Sequence, residues 1–131
     1  LVIIFMTIYG CNEKKSVDLG RGYRFDNDPS ISMDYMIFGV NKNIYGNILD
    51  FNFDSIFIIV EQMPRDLIMK DINTNLDMTF KEQEKKFKES SLRQFWVINK
   101  IKDSIYGPFD RQEYLQKREE LGVSKGLELK E

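Results

Sequence analysis

Apolar and polar residues alternate with a period of two in the first part of the chain, which is typical of β-strands. Across residues 31–40, apolar side chains at every second position stand opposite polar ones such as Ser32 and Asp34. This alternation predicts a half-buried strand, and residues 22–26 predict a shorter strand before it. The beginning of the folded region is therefore expected to be a sheet.

Two further strands are predicted as a hairpin in the middle of the chain. Residues 48–53 and 55–61 are rich in apolar and β-branched side chains, and the polar residues 52–54 between them favour a turn. Residues 56–60 are an unbroken apolar run, so the second strand is expected to be central, with both faces buried. Pro64 is expected to end this strand and to open a short helical turn.

A charged segment with helical spacing follows a polar loop at residues 71–77. Thr79 and Glu82 match the capping box, in which the side chains at the first and fourth positions bond each other's backbone amides. Phe80 and Phe87 are the side chains expected to face inward. The sequence therefore predicts a solvated surface helix held to the core by two rings.

A second hairpin is predicted near the C-terminus. Residues 95–99 and 104–107 have strand-forming composition, and the four residues 100–103 between them suit a type I turn. Pro108 lacks an amide hydrogen, so we expect it to block further pairing.

A C-terminal helix is predicted immediately after this hairpin. Asp110 is expected to cap it, with Glu113 closing a capping box and Phe109 packing against Tyr114. Gly122 is expected to end it. The predicted inner face comprises Tyr114, Leu115, Arg118 and Leu121.

Together these elements predict an α+β fold in a single domain covering residues 21–131. We expect a small, mostly antiparallel sheet of about five or six strands, arranged as a meander and packed against the C-terminal helix.

The first residues of the chain have a different character. Residues 1–9 are almost all apolar, and they give way at Gly10 and Cys11 to the polar residues 12–15. This segment is shorter than the roughly 20 residues that a membrane-spanning helix requires, but it matches the core of a secretory signal. The alternative is a buried strand with Cys11 as a small core residue.

Ile8-Tyr9-Gly10-Cys11 is similar to the lipobox of bacterial lipoproteins. This resemblance implies that the thiol of Cys11 carries a diacylglycerol and that the chain is cut just before it. Residues 1–10 are then a lipoprotein signal, expected to be truncated at its start because no positive residue precedes Leu1, and residues 11–20 are a polar tether. In such lipoproteins Asp after the Cys implies inner-membrane retention. Asn12 therefore favours the outer membrane if the host has one.

The composition excludes several classes of mechanism. Lys and Arg number 19 against 21 Asp and Glu, so we expect no concentrated basic face and no nucleic-acid partner. The chain has no His, which removes imidazole as a base or metal ligand. Its one Cys excludes an intrachain disulfide and a thiolate zinc cluster. We expect no metal, no cofactor and no catalytic residue.

The sequence offers residues for two kinds of binding or catalytic site. A glycosidase needs two facing carboxylates, and the candidates are Asp26, Asp28, Asp34, Asp50, Asp54 and Glu61. No spacing singles out a pair, and most are expected in turns or on exposed faces. Trp96 with Tyr106 and Phe109 would suit an exposed aromatic site for sugar or peptide, although a lone Trp on an apolar strand is more often core.

The C-terminal third resembles a family of small bacterial lipoproteins that carry a domain of unknown function. Its members join a Trp-containing strand, a Tyr-Gly-Pro corner and a closing helix. The matching residues, which we expect to be structural, are Trp96, Tyr106, Gly107, Pro108, Phe109, Asp110, Glu113, Tyr114, Leu121 and Gly122. The resemblance implies a lipid anchor and an α+β fold, and it brings no assigned activity.

These observations lead us to expect a lipid-anchored protein of the cell envelope with a non-enzymatic binding, structural or accessory role. Its expected partners are the membrane, through the lipid on Cys11, and an envelope protein or glycan. One alternative is a carboxylate-dependent hydrolase of envelope carbohydrate. Another is a cytosolic α+β protein without a lipid anchor.

Overall fold

The computed structural model describes residues 16–27, 35–72 and 77–130. The predictions for the signal and for Cys11 lie outside the described residues. So do those for residues 28–34, which include Asp28 and Asp34.

The described residues form two antiparallel sheets and three helices, which confirms the α+β class. Strands follow one another in chain order within each sheet, as in a meander. The first sheet consists of β1 (Val17–Gly20), β2 (Tyr23–Asn27) and β3 (Tyr35–Phe38). The second consists of β4 (Ile48–Phe53), β5 (Phe57–Gln62), β6 (Gln94–Asn99) and β7 (Ser104–Phe109). The helices are α1 (Arg65–Ile72), α2 (Phe80–Glu89) and α3 (Arg111–Leu121).

The described residues thus contain seven strands in two sheets, whereas the sequence predicts about five or six strands in one. One added strand is β1, which lies within the residues assigned to the polar tether. Val17 pairs with Phe25 of β2, and Leu19 is completely buried. Residues 17–20 are therefore part of the first sheet.

The second sheet is covered on both faces, which explains the unbroken apolar run of β5. Ile58 and Val60 face the first sheet, while Phe57 and Ile59 face α3. The core between the sheets consists of Leu19, Tyr23, Phe25, Ile37, Ile44, Ile48, Ile58, Val60, Trp96 and Ile98. The core under α3 consists of Phe57, Ile59, Phe95, Val97, Tyr114, Val123 and Leu127. The prediction of a C-terminal helix packed against a sheet is confirmed.

Helices α1 and α2 pack together around a third, smaller cluster of Met63, Ile68 and Phe87. The predicted capping box of α2 is present, with Thr79 and Glu82 bonding each other's backbone amides. The prediction that both rings of α2 face inward is wrong. Phe87 is buried, but Phe80 is 75% exposed, because it is the first residue of the helix and lies beyond the end of the cluster.

Helix α3 has the predicted ends. Asp110 and Glu113 form its capping box, and Gly122 ends it in the left-handed conformation at φ 79°. The prediction that Leu115 faces inward is wrong, since it is 51% exposed. Tyr114 is the fully buried residue of the helix, and the next residue is rotated about 100° around the helix axis from it.

Pairing in the second hairpin continues past Pro108, contrary to the prediction that this residue blocks it. Phe109 pairs with Phe95, and the register shifts between Phe95 and Val97. Strand β7 is at the edge of its sheet, where a residue without an amide hydrogen is tolerated.

Candidate functional site

The residues of the C-terminal strand, corner and helix unit lie in β6, β7, α3 and the loops at the ends of the helix. Trp96 faces the first sheet, whereas Tyr106, Phe109, Tyr114 and Leu121 lie on the other face of the second sheet. The aromatic site considered for Trp96, Tyr106 and Phe109 is therefore not formed, because the sheet itself separates the rings.

Gly107 forms the corner beside the indole of Trp96. Its φ is +135°, and a Cβ atom there would lie 2.9 Å from both the carbonyl oxygen of Phe95 and Cε3 of Trp96. Glycine is the residue that adopts this conformation without strain and leaves room for the ring. The Tyr-Gly-Pro corner thus has a packing role.

A groove of about 360 Å³ opens on the opposite edge of the same indole. Its floor is a chain of hydrogen bonds. Nε1 of Trp96 donates to Oε1 of Gln62 at 2.8 Å, and Nε2 of Gln62 donates to the backbone carbonyl of Tyr45. Gln62 is buried, so its amide holds the indole and the 41–47 loop in a fixed relation.

The rim of the groove combines an exposed ring with opposite charges. Tyr45 is 55% exposed, and Leu67 of α1 is an exposed lining residue as well. The ammonium of Lys42 lies 5.6 Å from the centre of the Trp96 ring. Asp66, at the start of α1, and Gln94, at the start of β6, complete the polar lining.

This arrangement suits non-covalent binding of a small polar molecule that has an apolar face. An exposed ring such as Tyr45 can stack on the apolar face of a sugar, while amide and charged groups bond its hydroxyls. Trp96 is only 9% exposed. It therefore acts as a floor and as a support for the loop, and not as the stacking platform.

A second polar cluster lies at the other end of the sheets. The hydroxyl of Tyr23 donates to Oδ1 of Asp103, and Nδ2 of Asn41 donates to Oδ2 of the same carboxylate at 2.6 Å. Burial, and then the bond to Asp103, raises the pKa of the Tyr23 hydroxyl far above its usual range. This cluster joins the first sheet to the β6–β7 turn.

Lys100 makes a similar link beside it. The residue is buried, and its Nζ donates to the carbonyl of Leu19 at 2.5 Å. Burial lowers the pKa of the Lys100 ammonium, the carboxylates of Asp54 and Asp18 oppose the shift, and Arg21 adds to it. Lys100 is thus a buried cation bonded to the backbone, and this bond connects β1 to the second hairpin.

The carboxylates considered for hydrolysis are engaged in local structure where they are described. Asp54 accepts two backbone amides of its own turn, and Asp50 accepts a backbone amide from the C-terminal segment at 2.6 Å. Asp26 and Glu61 each lie 3.7 Å from an arginine nitrogen. These contacts give each of the four a structural partner.

Sequence reasoning missed the groove because its parts come from three separate segments. Tyr45 and Lys42 lie between the strands predicted at residues 31–40 and 48–53, where the sequence indicates only a connecting loop. The available signal was Gln62, a polar residue that continues the inward-facing positions Ile58 and Val60 of a buried strand. A buried amide at such a position indicates a specific hydrogen-bond partner.

Among residues 16–27, 35–72 and 77–130, no group of three or more Asp, Glu, Cys or His lies close enough to hold a metal ion. In the same residues, no helix combines the length and the apolar character needed to cross a membrane.

A family model described as Protein of unknown function (DUF3997) matches residues 26–131, which are 106 of the 131 residues. No curated protein and no solved structure matches the chain. The match includes the whole strand, corner and helix unit, and it confirms the resemblance to a family with a domain of unknown function. The chain therefore belongs to the family of proteins of unknown function DUF3997.

Proposed function

We propose that this chain is a lipid-anchored protein of the cell envelope, at the outer membrane if the host has one. The apolar residues 1–9 followed by Gly10 and Cys11 support the anchor. The position of the fold supports it as well, because the first strand begins at Val17, six positions after Cys11. A lipid on Cys11 would thus hold a folded domain directly at the membrane surface.

The domain's role in this proposal is to bind an envelope glycan, without catalysis. The single observation that carries this step is the groove that the exposed Tyr45 lines together with the hydrogen-bonded pair Trp96 and Gln62. The structural partners of the described acidic candidates also favour binding over hydrolysis. An anchored domain with such a groove raises the local concentration of its ligand at the membrane.

The anchor is tested by replacing Cys11 with alanine and partitioning the expressed protein between detergent and aqueous phases. We expect the parent protein in the detergent phase and Cys11→Ala in the aqueous phase, because about 0.8 kcal/mol per buried methylene is lost with the acyl chains. Equal partitioning of the two proteins would contradict the anchor and favour the cytosolic alternative.

Glycan binding is tested with purified peptidoglycan fragments and the fluorescence of Trp96, which is the one tryptophan of the chain. We expect binding to change this fluorescence, and Tyr45→Ala to weaken binding about tenfold through loss of the stacking ring. Phe80→Ala removes an exposed ring far along the chain and should bind like the parent. Binding that is absent, or unaffected by Tyr45→Ala, would contradict the proposal. Release of new reducing ends would favour the hydrolase.

A further inference from the structure

The ammonium of Lys42 gives the groove beside Trp96 a positive charge. Its Nζ atom lies 5.6 Å from the centre of the Trp96 ring, and both residues line the groove. This distance is within the range of a cation–π contact, which keeps the charge at the groove without neutralising it. The side chain of Lys42 is exposed, and no described carboxylate lies within ion-pairing distance of it. A bound molecule would therefore meet a cation that has no ionic partner in the described part of the chain.

The loop that carries Lys42 is fixed by hydrogen bonds on its C-terminal side. Ile44 and Ile37 exchange two backbone hydrogen bonds, at 2.8 and 3.0 Å. The carbonyl of Tyr45 accepts a further bond from the buried amide of Gln62. The backbone beside Lys42 is thus held in place before a ligand binds, which reduces the cost of ordering the loop on binding.

A neutral amide lies in the groove next to the indole. Gln94 is the cross-strand neighbour of Gln62, and both line the groove. The amide of Gln62 bonds Trp96 and the 41–47 loop. The half-buried side chain of Gln94, by contrast, forms no hydrogen bond with a described residue. A side-chain amide both donates and accepts, so Gln94 matches the acetamido group of an amino sugar.

The groove also contains a carboxylate, that of Asp66. This residue is in the first turn of α1, where the helix dipole favours a negative charge. Asp66 and Lys42 both line the groove, but they do not form an ion pair with each other. A carboxylate accepts hydrogen bonds from hydroxyl groups. The groove thus offers an acceptor for sugar hydroxyls on α1 and a cation for an acidic group on the 41–47 loop.

We propose that the groove binds an amino sugar that carries a carboxylate. Lys42 bonds the carboxylate, Gln94 bonds the acetamido group and Asp66 accepts a hydroxyl. The inference rests on the proposed glycan binding and names the class of glycan. A hydrogen bond between an ammonium and a carboxylate is stronger than one between neutral groups. The acidic sugar therefore binds more tightly than its neutral analogue, which leaves the charge of Lys42 unused.

The test compares two sugars that differ in a single substituent. N-acetylmuramic acid carries a lactyl ether with a carboxylate, and N-acetylglucosamine has a hydroxyl group in its place. Each sugar is titrated against the full chain, and the fluorescence of Trp96 is the readout because the ammonium of Lys42 lies beside this ring. We expect the acidic sugar to bind about tenfold more tightly, and added salt to reduce this preference.

Lys42→Gln should bring the ratio of the two affinities down to about one. Lys85→Gln is the matched control and should keep the ratio of the parent, since Lys85 is an exposed lysine of α2 outside the groove. Equal affinities in the parent, or a preference that Lys42→Gln retains, would overturn the inference. If peptidoglycan fragments still bind in that case, the proposed glycan binding stands. If neither the sugars nor the fragments bind, both proposals fail.

Discussion

Close packing at single residues fixes the corner between β7 and α3. Gly107 touches the indole of Trp96, and the indole in turn bonds Gln62 under the groove. A change at the glycine would therefore act on the floor of the candidate site as well as on stability.

Gly107→Ala should destabilise the domain by about 3 kcal/mol, because it adds a Cβ in sub-van-der-Waals contact and strains φ. Gly126→Ala is the matched control, since the nearest atom to its added Cβ lies at 3.7 Å and its φ is unstrained. Urea unfolding followed by Trp96 fluorescence measures both. Equal midpoints for the two variants would contradict the packing role of Gly107.

At this scale the sequence predicts residues whose role is local and misses those whose role depends on distant partners. The caps Asp110, Glu113 and Gly122 are predictable, because a cap involves amides only a few residues away. The position of Tyr45 in the groove is not predictable, because its backbone carbonyl accepts a hydrogen bond from the side chain of Gln62, seventeen positions later in the chain.

At the scale of elements, α2 packs against α1 through a small apolar cluster. Phe87 is its buried residue. The guanidinium of Arg65 lies 4.0 Å from the centre of that ring and also contacts Glu84 at 3.1 Å. These contacts join α2 to α1.

Phe87→Ala should cost about 3 kcal/mol and should increase amide hydrogen exchange throughout α2, because the cluster loses its largest side chain. Phe80→Ala should change stability by less than about 0.5 kcal/mol, as expected for an exposed position. Hydrogen exchange read by mass spectrometry measures both variants. A slow-exchanging α2 in Phe87→Ala would show that the ring does not hold the helix.

Elements with a strong periodic pattern could be predicted from the sequence, and short ones could not. The β4–β5 and β6–β7 hairpins and α3 carry both a pattern and turn or cap signals. Strand β1 has only four residues, and its identity depends on pairing between Val17 and Phe25 across a tight turn. Pairing through Pro108 was also missed, since it depends on β7 lying at the sheet edge.

At the scale of the whole molecule, polar links join the first sheet to the β6–β7 turn of the second. Tyr23 of β2 and Asn41 of the loop after β3 each donate a hydrogen bond to Asp103 of the β6–β7 turn. Lys100 of the same turn donates to the carbonyl of Leu19 in β1. The bonds from Tyr23 to Asp103 and from Lys100 to Leu19 could not be predicted from the sequence, because each joins residues about eighty positions apart.

The raised pKa of Tyr23 predicts a loss of stability at high pH. The unfolded tyrosine ionises near pH 10, whereas the folded one keeps its proton, so its contribution is complete below that pH and declines above it. In the parent protein, the free energy of unfolding should fall between about pH 9 and 11, and in Tyr23→Phe this fall should be smaller. At neutral pH, the same variant should be less stable than the parent by about 1 kcal/mol, because it lacks the hydrogen bond. Urea titrations across this range measure the difference. Parallel curves for parent and variant would contradict the burial and bonding of this hydroxyl.

The central claim is that Cys11 carries lipid, and intact-mass and fragment mass spectrometry of the protein from its natural membrane tests it most directly. We predict that the mature chain begins at Cys11 and that this residue has the added mass of acyl groups. An unmodified thiol on Cys11, with residues 1–10 still attached, would contradict it.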